Sequence, residues 1–141
     1  RLTKIYVIYL DKTNSGSEIF SSKFVNVYLI WNEGIAFGHF SFDQKNLYNY
    51  LTVIILIIVF VILFMLIKSQ GIKKYALLMI FGGAIGNLFD RIYYKAVPDF
   101  IDLHINNFHW FIFNIADIFI TIGVFLMILS EFIVKDRNEN I

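Results

Sequence analysis

From Leu47 to Ile67 the chain reads LYNYLTVIILIIVFVILFMLI, without a single charge. At ~1.5 Å per helical residue the run extends about 30 Å, the thickness of a bilayer's hydrocarbon core. A helix buried in a large soluble protein could carry such a run, but a chain of 141 residues cannot surround it. A membrane span is therefore expected over 47–67, with Tyr48 and Tyr50 as interfacial anchors at one end and Lys68 at the other.

Two more apolar stretches follow, and spans are expected over 74–89 and 111–134. The first is rich in small residues: Gly82, Gly83, Ala84 and Gly86 would let a neighbouring helix approach closely. The second contains two polar intruders, Asn114 and Asp117. The hydrophobic fraction, 58%, exceeds the soluble norm of roughly 45–50% because it is gathered into these blocks. A single membrane-embedded domain over 1–141 is expected, since the length leaves no room for a second. Residues 1–10 read as the outer end of one further helix that begins upstream of Arg1.

The connections differ in character. Residues 11–46 form an expected extracytoplasmic insertion with a β-rich run, Phe24 to Trp31, and a turn at Asn32-Glu33-Gly34. Residues 90–110 read as a loop richer in acids than in bases. Lys68 to Lys74 holds three lysines and no acid, and the tail adds Lys135 and Arg137. The positive-inside rule puts those basic segments in the cytoplasm and the acidic loop outside.

Several function classes are excluded. Without Cys there is no disulfide, thiolate nucleophile or Cys-based metal site. A net charge of +1 offers no electrostatic case for nucleic acid. His39, His104 and His109 form no H-E-x-x-H pair, so zinc peptidase chemistry lacks its ligands. The last two read as interfacial loop residues. G-x-S-x-G, S-x-x-K and G-x-G-D are also missing.

A carboxylate within a span costs about 2.5–3.5 kcal/mol on insertion scales, so Asp117 should have a task. A structural task would be pairing with Arg91 across the bundle. A chemical task appears if Asp99, in VPDF, meets it: two close carboxylates share one proton and can divide base and acid roles. Spacing alone leaves Asp90 and Asp102 open as rival partners.

Four blocks then come in order: NEGIAFG (Asn32 to Gly38), GGAIGNLFDR (Gly82 to Arg91), VPDF (Val97 to Phe100) and FNIAD (Phe113 to Asp117). Together they resemble signal peptidase II, the lipoprotein (prolipoprotein) signal peptidases, whose blocks run N-x-G-x-A-F-G, G-x-x-G-N-x-x-D-R, V-x-D-F and F-N-x-A-D. The opening RLTK is similar to the end of the family's first block, D-x-x-[ST]-K. The resemblance implies an all-α integral membrane helical bundle of four spans, the first largely missing here, with a small extracytoplasmic β-cradle built from 11–46. It implies an aspartic endopeptidase that cuts just before the diacylglyceryl-modified Cys of prolipoproteins, at the outer face of the bacterial inner membrane. Asp99 and Asp117 match the catalytic pair. Asn32, Gly38, Asn87, Asp90, Arg91 and Asn114 match substrate-binding or site-supporting positions, although Asp90 and Arg91 could simply pair with each other. No cofactor or metal is implied. The partners would be prolipoproteins and membrane lipid, and a monomer is expected because one bundle could hold the whole site. A small transporter or ion-pathway protein using Asp117, or a scaffold in which Asn114 and Asp117 hold helices together, are the competing readings.

Overall fold

The computed structural model describes residues 1–14, 16–34 and 44–139. Its elements are α1 (Leu2–Thr13), β1 (Phe20–Ser21), β2 (Val25–Asn32), α2 (Gln44–Lys68), α3 (Gly71–Tyr94), β3 (Val97–Ile105), β4 (Phe108–Phe113) and α4 (Ile115–Glu139). Among the described residues, three helices are long and apolar enough to cross a membrane: Asn46–Lys68, Gly71–Tyr94 and Ile115–Phe132.

Their packing is inside out relative to a water-soluble protein. On α2, Val53, Ile57, Phe60 and Phe64 are exposed, while Lys4, Asp90, Asp99, Asp102 and Asn114 are buried. Apolar surface on this scale is stable only against lipid, and polar groups then turn inward to find partners. The apolar core is small, formed by Leu66, Leu77 and Ile80 with partly buried Ile62, Phe81 and Ile120 around them.

Close backbone approach joins α3 to α4. A Cβ on Gly83 would lie 2.5 Å from the Ala116 carbonyl oxygen, and one on Gly123 would lie 2.7 Å from that of Ala76. Of the small residues expected to admit a neighbour, Gly83 does so, whereas Gly82 and Gly86 have open space where a Cβ would sit. Gly82 and Gly86 instead line a cavity together with Arg1 and Lys4.

The sheet is antiparallel, in the order β1-β2-β3-β4. Among its described residues, segment 11–46 supplies β1 and β2 to the sheet, and Gln44 already begins α2. The other half comes from the segment expected to be a loop, 90–110, and from the start of the expected span 111–134. Phe111 to Phe113 belong to β4, so α4 begins at Ile115. The reason is local: Lys95 closes α3 in the left-handed conformation (φ 62), and Asn106 (φ 52) supplies the positive φ that a two-residue hairpin turn requires. Once β3 turns at Asn106-Asn107, the aromatic run after it has a strand to pair with. β3 follows α3 and β4 leads into α4, so the sheet lies at the bundle end opposite Lys68, Lys73 and Lys74.

Candidate active site

The site is organised by the first turn of α4. The first N–H groups of a helix lack intrahelical acceptors and need side-chain partners. Asn114 Oδ1 accepts from the Ala116 N–H at 2.8 Å, and Asp117 Oδ2 accepts from the Asn114 N–H at 3.0 Å. This resembles a capping box with Asp in place of the usual Glu, except that the Asn114 side chain takes the Ala116 N–H and the Asp117 N–H bonds to the Asn114 carbonyl. It leaves two polar atoms pointing away from the helix, Asn114 Nδ2 and Asp117 Oδ1.

Both meet groups from distant parts of the chain. Asn114 Nδ2 donates to Asp99 Oδ1 at 2.6 Å and to Asn87 Oδ1 at 3.3 Å. Asp117 Oδ1 accepts from Asn87 Nδ2 at 2.7 Å. Asn114, fully buried, thus holds one carboxylate with its side chain and the other with its backbone. Asp99 and Asp117 line one cavity of about 460 Å³ with Asn32, Asn87 and Arg91.

The second oxygen of Asp99 is met from β2. Asn32 Oδ1 accepts the Gly34 N–H at 2.7 Å, closing an Asx turn, so its Nδ2 is free to donate to Asp99 Oδ2 at 2.8 Å. Gly34 has φ 77, and a Cβ there would fall 2.6 Å from the Arg91 guanidinium. Arg91 donates to the Glu33 carbonyl at 3.2 Å and lies over the Tyr48 ring, whose hydroxyl donates to the Arg91 carbonyl. Arg91 therefore ties the turn after β2 to α2 and α3.

Behind the carboxylates lies Lys4, only 2% exposed. Its Nζ donates to Asn87 Oδ1 at 2.5 Å and to Asp90 Oδ2 at 2.7 Å, and Arg1 reaches the other Asp90 oxygen at 3.1 Å. By occupying the Asn87 oxygen, Lys4 turns the Asn87 amide nitrogen toward Asp117. Asp99 is 3% exposed. Burial pushes its carboxyl above the usual carboxylate range; the Asn114 and Asn32 hydrogen bonds and Lys4 oppose this, while the charge of Asp117 adds to it.

Several pairings differ from expectation. Asp117 does not pair with Arg91: its hydrogen bonds are to Asn87 and Asn114. Asp90 and Arg91 do not pair with each other either, because neighbours on a helix point about 100° apart and Lys4 and Arg1 reach Asp90 first. Asp102, a rival partner for Asp117, is taken by Tyr28 and His109. His104 and His109 lie on paired strands, not in a loop. Gly38 falls outside the described residues. Lys4 is a site residue that the motifs do not name, and the signal for it in the sequence is a lysine ending RLTK inside an apolar helix.

Comparison with known proteins follows the same lines. The family model described as signal peptidase (SPase) II matches residues 1–133. The lipoprotein signal peptidase of Pelagibacter ubique (strain HTCC1062) is 50% identical over 140 residues, spanning 99% of this chain and 84% of its own. That of Aquifex aeolicus (strain VF5) is 36% identical over 144 residues, with 97% and 86% covered. A bacterial membrane enzyme solved by the in meso method is similar with a TM-score of 0.68 at 30% identity, covering 92% of this chain and 89% of its own.

Proposed function

The chain belongs to the signal peptidase II family and is a protease that removes signal peptides from prolipoproteins; on that premise we propose that Asp99 and Asp117 are its catalytic pair. The observation that carries the proposal is the single residue Asn114 holding both carboxyls in one cavity. Both oxygens of each carboxyl accept from N–H donors, so hydrogen bonding does not divide their roles, and Asp117 is assigned the base because Asp99 is assigned the shared proton. Asp99, whose burial favours the neutral acid, starts with the proton.

Water between them loses a proton to Asp117 as its oxygen attacks the scissile carbonyl carbon. The Asp99 proton passes to the carbonyl oxygen, giving a neutral tetrahedral diol. Asp99, now ionised, takes back a diol proton as the C–N bond breaks, and Asp117 gives its proton to the departing nitrogen. The products are a carboxyl-ended signal peptide and a free amine, and the pair returns to its starting state. Asn32, Asn87 and Asn114 hold the carboxyls in position, and Lys4 with Asp90 and Arg91 supports that frame.

The bond cut is the one before the diacylglyceryl-modified Cys. The enzyme sits in the bacterial inner membrane as a monomer, with the basic α2–α3 connection in the cytoplasm and the carboxyls at the outer face. α1 is part of a fourth span, and the sheet cradles substrate beside the membrane. An ion-pathway role for Asp117 would give no reason for Asn114 to hold a second acid.

The test is cleavage of a lipidated prolipoprotein by Asp99→Asn and Asp117→Asn. Each should lower turnover by at least ~10³-fold, the scale lost when an acid–base group is removed, while membrane insertion persists. Retained cleavage by either variant would end the assignment.

A further inference from the structure

The β3–β4 hairpin carries a second constellation that the peptidase chemistry does not use. Asp102, His104 and His109 bring one ligating atom each within 4.8 Å of one another. Their convergence follows from strand geometry: Asp102 and His104 are two residues apart on β3, and His109 pairs directly with His104 across the hairpin. The two imidazoles are 5.2 Å apart between centroids.

Asp102 is fully buried, yet among the described residues its Oδ1 has no hydrogen-bond partner, and the buried His104 Nδ1 also lacks one. Unpartnered buried polar atoms are costly and uncommon. Here two occur in adjacent side chains whose atoms are both metal-ligand types. The Asp102–His109 contact at 2.7 Å and the Tyr28 hydroxyl at 3.2 Å satisfy only Oδ2. A plain ion pair with His109 therefore leaves Oδ1 and His104 Nδ1 unexplained.

We propose that Asp102, His104 and His109 form a zinc-class divalent metal site on the β3–β4 hairpin, separate from the Asp99–Asp117 pair. Two imidazoles and one carboxylate suit zinc, whereas calcium and magnesium prefer all-oxygen sets. Tetrahedral bonds of about 2.0–2.1 Å place ligand atoms roughly 3.3 Å apart. Ligand atoms at the 4.8 Å limit must close by about 1.5 Å, while the Asp102–His109 contact at 2.7 Å must open by about 0.6 Å, and His109, with its side chain 50% exposed, is free to rotate. Water completes the fourth position. Tyr28, donating to Asp102, orients the carboxylate from behind. The ion locks the hairpin that carries Asp99 at its other end, so its role is to stiffen the sheet.

The experiment uses the full chain in detergent, stripped with a chelator and titrated with zinc sulfate against a chromophoric competitor, with thermal unfolding followed in parallel. One zinc should bind per chain and raise the unfolding temperature. His109→Gln should weaken binding at least about tenfold, and His104→Gln should do the same. His39→Gln, which changes the remaining histidine, should leave stoichiometry and affinity as they were. Failure of the parent chain to bind zinc overturns the site. So does undiminished binding by the His104→Gln/His109→Gln double variant. A His109→Gln chain that melts lower than the parent in the absence of zinc, while neither responds to the metal, leaves only an Asp–His ion pair and also overturns it.

Discussion

Asn114 caps α4 and, on the catalytic assignment proposed for Asp99 and Asp117, positions a reacting carboxyl, and substitution can separate the two. Its Oδ1 caps α4 through the Ala116 N–H, and its Nδ2 holds Asp99. Losing an N-cap costs about 1 kcal/mol, within a range of roughly 0.5–2. Losing a buried hydrogen bond to a carboxyl costs about 1.5–3 kcal/mol when the acceptor is charged, and less when it is neutral. Asn114→Ala removes both, for a combined loss of about 2–4 kcal/mol. Asn114→Ser keeps a hydroxyl for the cap and removes the contacts of Nδ2 with Asp99 and Asn87, so it should recover about 1 kcal/mol of that loss. Turnover should not follow stability. Both variants free Asp99 from its link to Asp117, and a misplacement of about 1 Å can cost ~10²-fold. Thermal unfolding in detergent and cleavage of a lipidated prolipoprotein read the two effects separately. An Asn114→Ser enzyme with parental turnover would show that the link between the carboxyls is not needed for catalysis. Equal stability of the Ala and Ser variants would remove the capping half of the reasoning.

Other outcomes follow from the same geometry. Because Asp99 is raised above the usual carboxylate value of about 3.9, the folded chain keeps its proton where the unfolded chain has released it. Its stabilising share is complete below that value and disappears as pH rises through the raised one. Asp99→Asn should flatten that descent in a plot of unfolding temperature against pH, and an equally steep decline in the variant would contradict the assignment. Lys4→Met leaves Asp90 with Arg1 as its one ion-pair partner and should cost about 3–5 kcal/mol if Arg1 compensates little. Adding Asp90→Asn should restore much of it, and a single variant as stable as the parent would count against the buried pair. Gly83→Val places a side chain where only 2.5 Å is available beside the Ala116 carbonyl. It should lower both the unfolding temperature and cleavage by displacing the start of α4, whereas Gly82→Ala, facing open space, should do neither.

The parts readable from residue order are those governed by near neighbours. A bilayer-length run without charge forces a span whatever surrounds it, because unpaired backbone groups cannot remain in hydrocarbon. The segment 113–117 contains its own cap, since the Asp117 side chain needs only the Asn114 N–H and the Asn114 side-chain oxygen only that of Ala116. Contacts across long separations were settled by packing. Four acids, Asp90, Asp99, Asp102 and Asp117, lie within one stretch, and spacing alone does not say which of them meet. Helix α1 brings Lys4 to Asp90, the hairpin turns Asp102 toward His109, and Asn114 remains to link Asp99 with Asp117. The sheet was half visible for a similar reason: Phe108 to Phe113 is as apolar as the span that follows, and it becomes a strand only because β3 supplies hydrogen bonds beside it. Composition thus decided that the chain enters a membrane, through a solvent effect that acts on each segment separately. Which charges face one another was decided by strand register and helix contact, because those interactions exist only once distant segments have been brought together.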